Sequence, residues 1–379
     1  MQSQEFNDKV QLFRAAACFQ KTKKVPNLSN DYTWKICDSK YGYKEAYFNE
    51  KIMEKIVCEF HERYDFDAYI DLGTRNHFPQ MAALGSGSYV LNEKTGAINV
   101  TDFPTLAPEE YDEFAKDPMS WFNILFERKF PNISTKDFVN ATMSFLKSSG
   151  YAQKIGNKFA QKYNRPMMVT TSASVQAPFE IFHSSLRGIS GIATDMRRFK
   201  EPLKHAMESY WEAMVKPGLD RALSAPEDKN YIADVYCGII GHEVMNIKQF
   251  DELYWPYLEK ILTATSDKGK LVYIFVEDSI MRFANNFTEV KKGSAIMHLE
   301  LDNLTEMRKL IPNMPLAGGM TTDLLGYSTP EACVEKARTL INELGEGFLM
   351  SQNKMLSFKN DCKRENLLAV NNFIKEYTI

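Results

Sequence analysis

From about residue 166 onward, short apolar runs alternate with amphipathic segments: PMMVTTSAS (166–174), YIADVYCG (231–238), LVYIFVE (271–277), SAIMHLEL (294–301), MPLAGGM (314–320) and GFLMSQN (347–353). Apolar runs of this length separated by helical periods predict parallel strands joined by crossover helices. The clearest helix is STPEACVEKARTLINELG, where Ser328 and Glu331 have capping-box spacing, Pro330 stands near the first turn and Gly345 supplies the stop. A closing helix carries Leu367, Val370, Ile374 and Tyr377 on one stripe. The first 150 residues are less regular. They predict helices near 6–18 and 45–63, a strand at FDAYIDL (66–72) and a hairpin in SYVLNEKTGAINV turning at Thr95 and Gly96.

These elements predict an α/β chain, a (β/α)8 TIM barrel with an N-terminal helical and hairpin elaboration. Residues 1–150 are expected to form a cap plus the first barrel strand, and 151–379 the remainder of the barrel, in one compact unit. No repeat or long Pro/Gly linker divides the 379 residues; PEEYDEFAKDP (108–118) is the one polar stretch that could mark the cap's return to the barrel.

Two consecutive runs end in polar chemistry. LVYIFVE ends in Glu277, SAIMHLEL carries His298 and Glu300, and the segment between has Ile280, Phe283, Ala284 and Phe287 at helical spacing. A right-handed β-helix-β unit brings both carboxyl ends to one side of the sheet, so Glu277 and His298 are expected to converge on a zinc ion or to form an acid-base pair. For a third zinc ligand the expectation is Cys237, at the end of the 231–238 run, with Glu300, His242 and Glu243 as rivals. Arg187, in SSLRG, is a candidate for binding a substrate oxyanion, a structural ion pair being the other reading. Asp71, at the end of the FDAYIDL run, and Arg75, Asn76 and His77 after it are candidates for lining the pocket with Phe78, as is Glu300.

Composition narrows the classes. With 44% hydrophobic, 25% charged and 12% aromatic residues, the chain can bury a large core. A net charge of -3 gives no global attraction to phosphate or anionic lipid, so no nucleic-acid or membrane partner is expected. The N-terminal MQSQEFNDKVQLFRAAACF lacks the basic start and apolar core of a signal peptide, and no apolar run has the length of a membrane span, so a cytoplasmic protein is expected. The six cysteines are scattered without C-x-x-C spacing; Cys333 shares the apolar face of its helix with Val334, Ala337, Leu340, Ile341 and Leu344.

The segments IKQFDELYWPYLEKIL, PLAGGMTTDLLGYSTPEACVEKARTLINELGEGFLMS and NLLAVNNFIKEY resemble, in order and spacing, the uroporphyrinogen decarboxylase superfamily. APFEIFHSSLRGISGIATDM (177–196), FDAYIDLGTRN, PEEYDEF and the E-x20-H spacing of Glu277 and His298 look like the narrower branch of corrinoid-dependent aryl-ether O-demethylase methyltransferase I components. The resemblance spans nearly the whole chain and is strongest from 165 on. It implies a TIM barrel, a zinc ion at the mouth, and methyl transfer from a methoxylated aromatic to a cobalt(I) corrinoid carried by a separate corrinoid protein. No D-x-H-x-x-G cobalamin motif is present, so the cobalamin is expected on the partner. A homodimer is expected as one assembly, since barrels of this size commonly pair.

The chain departs from family patterns in three places. In the zinc pattern E-x14-E-x20-H, the first position is Leu262, within a predicted helix after Trp255 and Pro256. Thiol-methylating relatives carry H-x-C and a further cysteine where this chain has Phe275, Glu277 and Gln352 to Lys354. The arginine-rich loop P-x-W-x-M-R-Q-A-G-R of porphyrin decarboxylases has no counterpart here. The alternatives are therefore a superfamily methyltransferase acting on another methyl donor (a methylamine, thiol or alcohol) or a thiol acceptor, and a non-catalytic barrel binding a ligand or corrinoid protein.

Overall fold

The computed structural model describes residues 2–70, 78–84, 89–100, 104–169 and 173–377. Its strands are β1 (Asn27–Ser29), β2 (Ala68–Tyr69), β3 (Tyr89–Leu91), β4 (Ile98–Val100), β5 (Met167–Val169), β6 (Tyr231–Ala233), β7 (Val235–Ile239), β8 (Val272–Val276), β9 (Ala295–Leu299), β10 (Leu316–Met320) and β11 (Phe348–Gln352). Nine of them form one parallel sheet in the order β6-β5-β2-β1-β11-β10-β9-β8-β7. Because β6 and β7 are one continuous stave broken only at Asp234, pairing with β5 at its start and β8 further along closes the ring. The result is an eight-stave TIM barrel. β3 and β4 make the predicted antiparallel hairpin, with Leu91 opposite Ile98.

Alternation along each stave builds two cores. Leu28, Ile70, Met168, Ile232, Tyr273, Phe275, Ile296 and Leu349 fill the barrel interior, joined by Phe13 and Ala16 of the first helix, Gln4–Ala17. Val235, Cys237, Ile239, Ile274, Val276, Met297 and Leu299 face outward onto the surrounding helices. Both faces are covered, which explains the unbroken apolar runs.

Three expectations are corrected. The barrel opens at Asn27–Ser29, so FDAYIDL supplies the second stave and the first 150 residues contribute two. A three-residue strand is too short to show a period. The late helix runs Pro330–Leu344 and is capped by Thr329, which accepts from the Ala332 N–H, rather than by Ser328. The 45–63 helix is split at Asn49 into Tyr43–Phe48 and Glu50–Tyr64, because the Asn49 side chain caps the second piece by accepting from Lys51 and Ile52 N–H groups.

Candidate active site at the barrel mouth

The parallel register fixes what stands beside what. Phe275 pairs with His298 and Val276 with Leu299, so one step further toward the carboxyl rim the lateral neighbour of Glu277 is Glu300. The backbone N–H of Glu277 donates to Ile239 and that of Glu300 to Val276, which carries the ladder across three staves to the rim. Glu277 and Glu300 line a cavity of about 650 Å³ with Asn30, Tyr32, Tyr236, Glu243, Phe275, Asp278, Leu301 and Lys354. This is the end of a TIM barrel at which reacting groups are gathered.

The two carboxylates are held differently. Glu300 accepts from the Asp278 N–H at 2.9 Å and lies 3.4 Å from the Lys354 ammonium. Its backbone is fixed by Asn353, whose amide donates to the Glu300 carbonyl at 2.9 Å. Asn353 in turn accepts from Gly319 N–H and packs against Gly318; both glycines have positive φ, and a Cβ at Gly318 would come within 3.1 Å of the Asn353 Oδ1. The Glu277 carboxyl accepts no hydrogen bond from a described residue. Burial, then the neighbouring Glu300 and Glu180 charges, raise it to about 7, against a lowering pull from Lys354. Glu180 itself is buried behind the rim, accepting from the Ile240 and Gly241 N–H groups and the Tyr254 hydroxyl; burial still pushes it above the ordinary carboxylate range.

His298 does not join Glu277 at the mouth. It has the same strand parity, so it points into the barrel, but one layer deeper, where it is fully buried. Its Nε2 lies 2.9 and 3.1 Å from the carbonyls of Gln352 and Asn353, so that nitrogen carries the proton. Nδ1 must then accept from the Tyr273 hydroxyl at 2.5 Å, leaving no lone pair for a cation. Burial depresses its pKa to about 4, so it is a neutral core imidazole.

Cys237 is on the opposite parity. Its thiol faces the helices among Val235 and Ile239, fully buried, and burial pushes its pKa well up. The structure also takes Arg187 away from ligand duty. Its guanidinium clamps Asp195 at 2.5 and 3.3 Å and donates to the Leu106 carbonyl at 2.6 Å, while the Tyr111 hydroxyl donates to the same carboxylate. Of the rivals, Glu243 and Glu300 line the cavity, whereas His242 is buried with Nε2 at 3.1 Å from the Ser279 carbonyl. Asp71, Arg75, Asn76 and His77 lie outside the described residues.

Among the described residues no three His, Cys, Asp or Glu side chains gather as a metal site requires. The ligand set expected for zinc, Glu277, His298 and Cys237, is spread over the mouth, the layer beneath it and the outer face. These residues do not fit the ion.

Sequence reasoning missed Asn30, Tyr32, Tyr236 and Lys354. Asn30 and Tyr32 follow a strand too short to recognise, and their loop is fixed by the buried Lys35, which bonds the carbonyls of Asp31 and Tyr32 and pairs with the Asp31 carboxylate at 2.7 Å. Lys354 was accessible from sequence, since it directly follows the GFLMSQN run.

An eight-stave parallel barrel with ionisable groups at its carboxyl rim defines the enzyme-bearing TIM class. The chain belongs to the uroporphyrinogen decarboxylase (URO-D) family, which it matches over residues 153–364, more than half its length. A solved structure described as a methyltransferase from Methanosarcina mazei shares the fold: TM-score 0.64 at 14% identity, covering 97% of this chain and 98% of that one. No curated protein matches the sequence. Among the described residues no helix is long and apolar enough to cross a membrane.

Proposed function

We propose that the chain is a methyltransferase that works at the mouth cavity, taking a methyl group from a methoxylated aromatic and passing it to the corrinoid of a separate protein. The observation that carries this reading is the composition of the cavity wall: Tyr32, Tyr236 and Phe275 offer faces for a small ring, and Glu277 stands among them as a carboxyl that retains a proton near neutral pH. The methyltransferase from Methanosarcina mazei, which shares the barrel over its whole length, supports the reaction class. Porphyrin decarboxylation is disfavoured by charge, since a polycarboxylate would meet Glu243, Glu277, Asp278 and Glu300 against Lys354 among the described lining residues.

Phenolate is a poor leaving group, so its charge must be neutralised as the bond to the methyl carbon breaks. Glu277 supplies that neutralisation as a general acid. The acceptor's electron pair forms the new bond to carbon, the O–CH3 pair stays on oxygen, and the Glu277 proton joins it, leaving a phenol and a carboxylate. Glu300, bound by the Asp278 N–H and 3.4 Å from Lys354, stands beside Glu277 and helps keep the Glu277 proton in place. A cobalt(I) corrinoid would supply the nucleophile. The apolar Leu301, which lines the cavity and is 65% exposed at the rim, is where its carrier would approach. No step is assigned to zinc.

The test is methyl transfer from anisole and 4-nitroanisole to chemically reduced cobalamin. Glu277→Gln should slow anisole cleavage by about 10²–10⁴-fold and 4-nitroanisole cleavage far less, because nitrophenolate leaves without a proton. Phenol release from neither ether, with wild type and a range of methoxylated rings, overturns the reading. A second donor class is favoured by the carboxylates themselves: a methylated ammonium would be held by Glu243 and Glu277 against the same aromatic faces. Transfer from trimethylamine but from no ether would select it.

A further inference from the structure

We infer that the N-terminal half of the helix Thr135–Lys162 is the interface between two copies of this chain. The helix has 28 residues, so it is about 42 Å long, whereas barrel helices such as Trp255–Asp267 have 13. It leads into the start of β5 at the barrel floor, and its last turns are anchored there by the buried Ile155, Phe159 and Ala160. The surplus length therefore stands at the opposite, mouth end. Between Thr135 and Gly150, Ala141 alone is buried.

That projecting half is nevertheless apolar. Phe138, Val139, Met143, Phe145 and Leu146, together with Phe122 of the adjoining helix Trp121–Lys129, are each 43–60% exposed. They present on the order of 600 Å² of apolar surface, the upper end of the largest patch on a monomer and most of the ~800 Å² that each partner contributes to a standard stable interface. Its own chain reaches one side of this half, where Ala141 packs with Leu84 and Phe130 and Phe138 meets Phe126, and leaves the other apolar side chains uncovered. Covering that area is what would hold it.

The spacing favours a second copy. Val139, Met143, Leu146 and Gly150 recur at four, three and four residues, the seam of a helix pair. In an antiparallel two-fold pairing with Met143 opposite Leu146, Val139 falls opposite Gly150 and the register repeats on both sides of the axis. A Cβ at Gly150 would meet nothing within 4 Å among the described residues, so the position is open to a neighbour's side chain.

Sedimentation velocity on the full chain at micromolar concentration should give a dimer, and Met143→Glu with Leu146→Glu should give a monomer with unchanged far-UV circular dichroism. The register is read separately. The double variant Val139→Cys, Gly150→Cys should form a covalent dimer on mild oxidation, beyond any background from the exposed Cys18 seen in wild type. A wild type that is monomeric at 100 µM overturns the inference. So does a dimer that survives the glutamate pair intact and fails to cross-link at 139 and 150; in the first case the patch is left to the methyl acceptor's carrier.

Discussion

Two layers of one barrel interior, two residues apart along each stave, treat their polar groups in opposite ways. In the lower layer His298 has every nitrogen engaged, by Tyr273 on one side and two carbonyls on the other. In the upper layer Glu277 has a carboxyl to which no described residue donates, held partly protonated by burial and by neighbouring acids. A saturated polar group specifies packing; an unsaturated one at an open rim is free to act on something else. Arg187 and Cys237 fall on the saturated side, the first by its clamp on Asp195 and the second by burial among aliphatic neighbours.

Substitutions sharpen this contrast. The largest stability loss is expected for Arg187→Ala, about 3–5 kcal/mol, because Asp195, 1% exposed, is left without its guanidinium partner; denaturant unfolding measures it, and a small loss accompanied by weakened donor binding would return Arg187 to the ligand. His298→Ala should cost about 3 kcal/mol by opening a cavity and stranding the Tyr273 hydroxyl, with metal content unchanged from wild type; loss of a bound metal would contradict the saturated layer.

Glu277→Gln should act in the other direction. The folded-state pKa, about 7, lies above the ordinary 4.5, so the carboxyl's contribution to stability is fully present below about 4.5 and is lost as pH rises through 7. Glutamine removes that loss and should stabilise the protein by about 2 kcal/mol above pH 7 and by nothing near pH 4, read from thermal melts across pH. A stabilisation independent of pH would show that Glu277 is not the titrating group. The smallest effect is Cys237→Ala, about 1 kcal/mol, with methyl transfer intact; abolished transfer would put the thiol back in the site.

The strands from 235 to 352 were legible because each is a five-residue, largely apolar run flanked by helical periods, as in LVYIFVE and SAIMHLEL. β1 was not, since three residues of mixed character carry no period and owe their place to pairing with β2 and β11. The same limit hid Asn30 and Tyr32.

For the site, sequence alone determined that His298 and Glu300 share one face of their stave, because side-chain direction follows a period of two, and that Glu277 ends the stave before it. Which of them meet was decided by the tertiary structure. Parallel pairing sets Phe275 beside His298 and so Glu277 beside Glu300, a shift of two residues that no spacing within one strand encodes. Cys237 shows the same limit from the other face: its place in a strand was readable, while its mid-strand position, its outward direction and its burial under the helices depend on how the closed barrel packs.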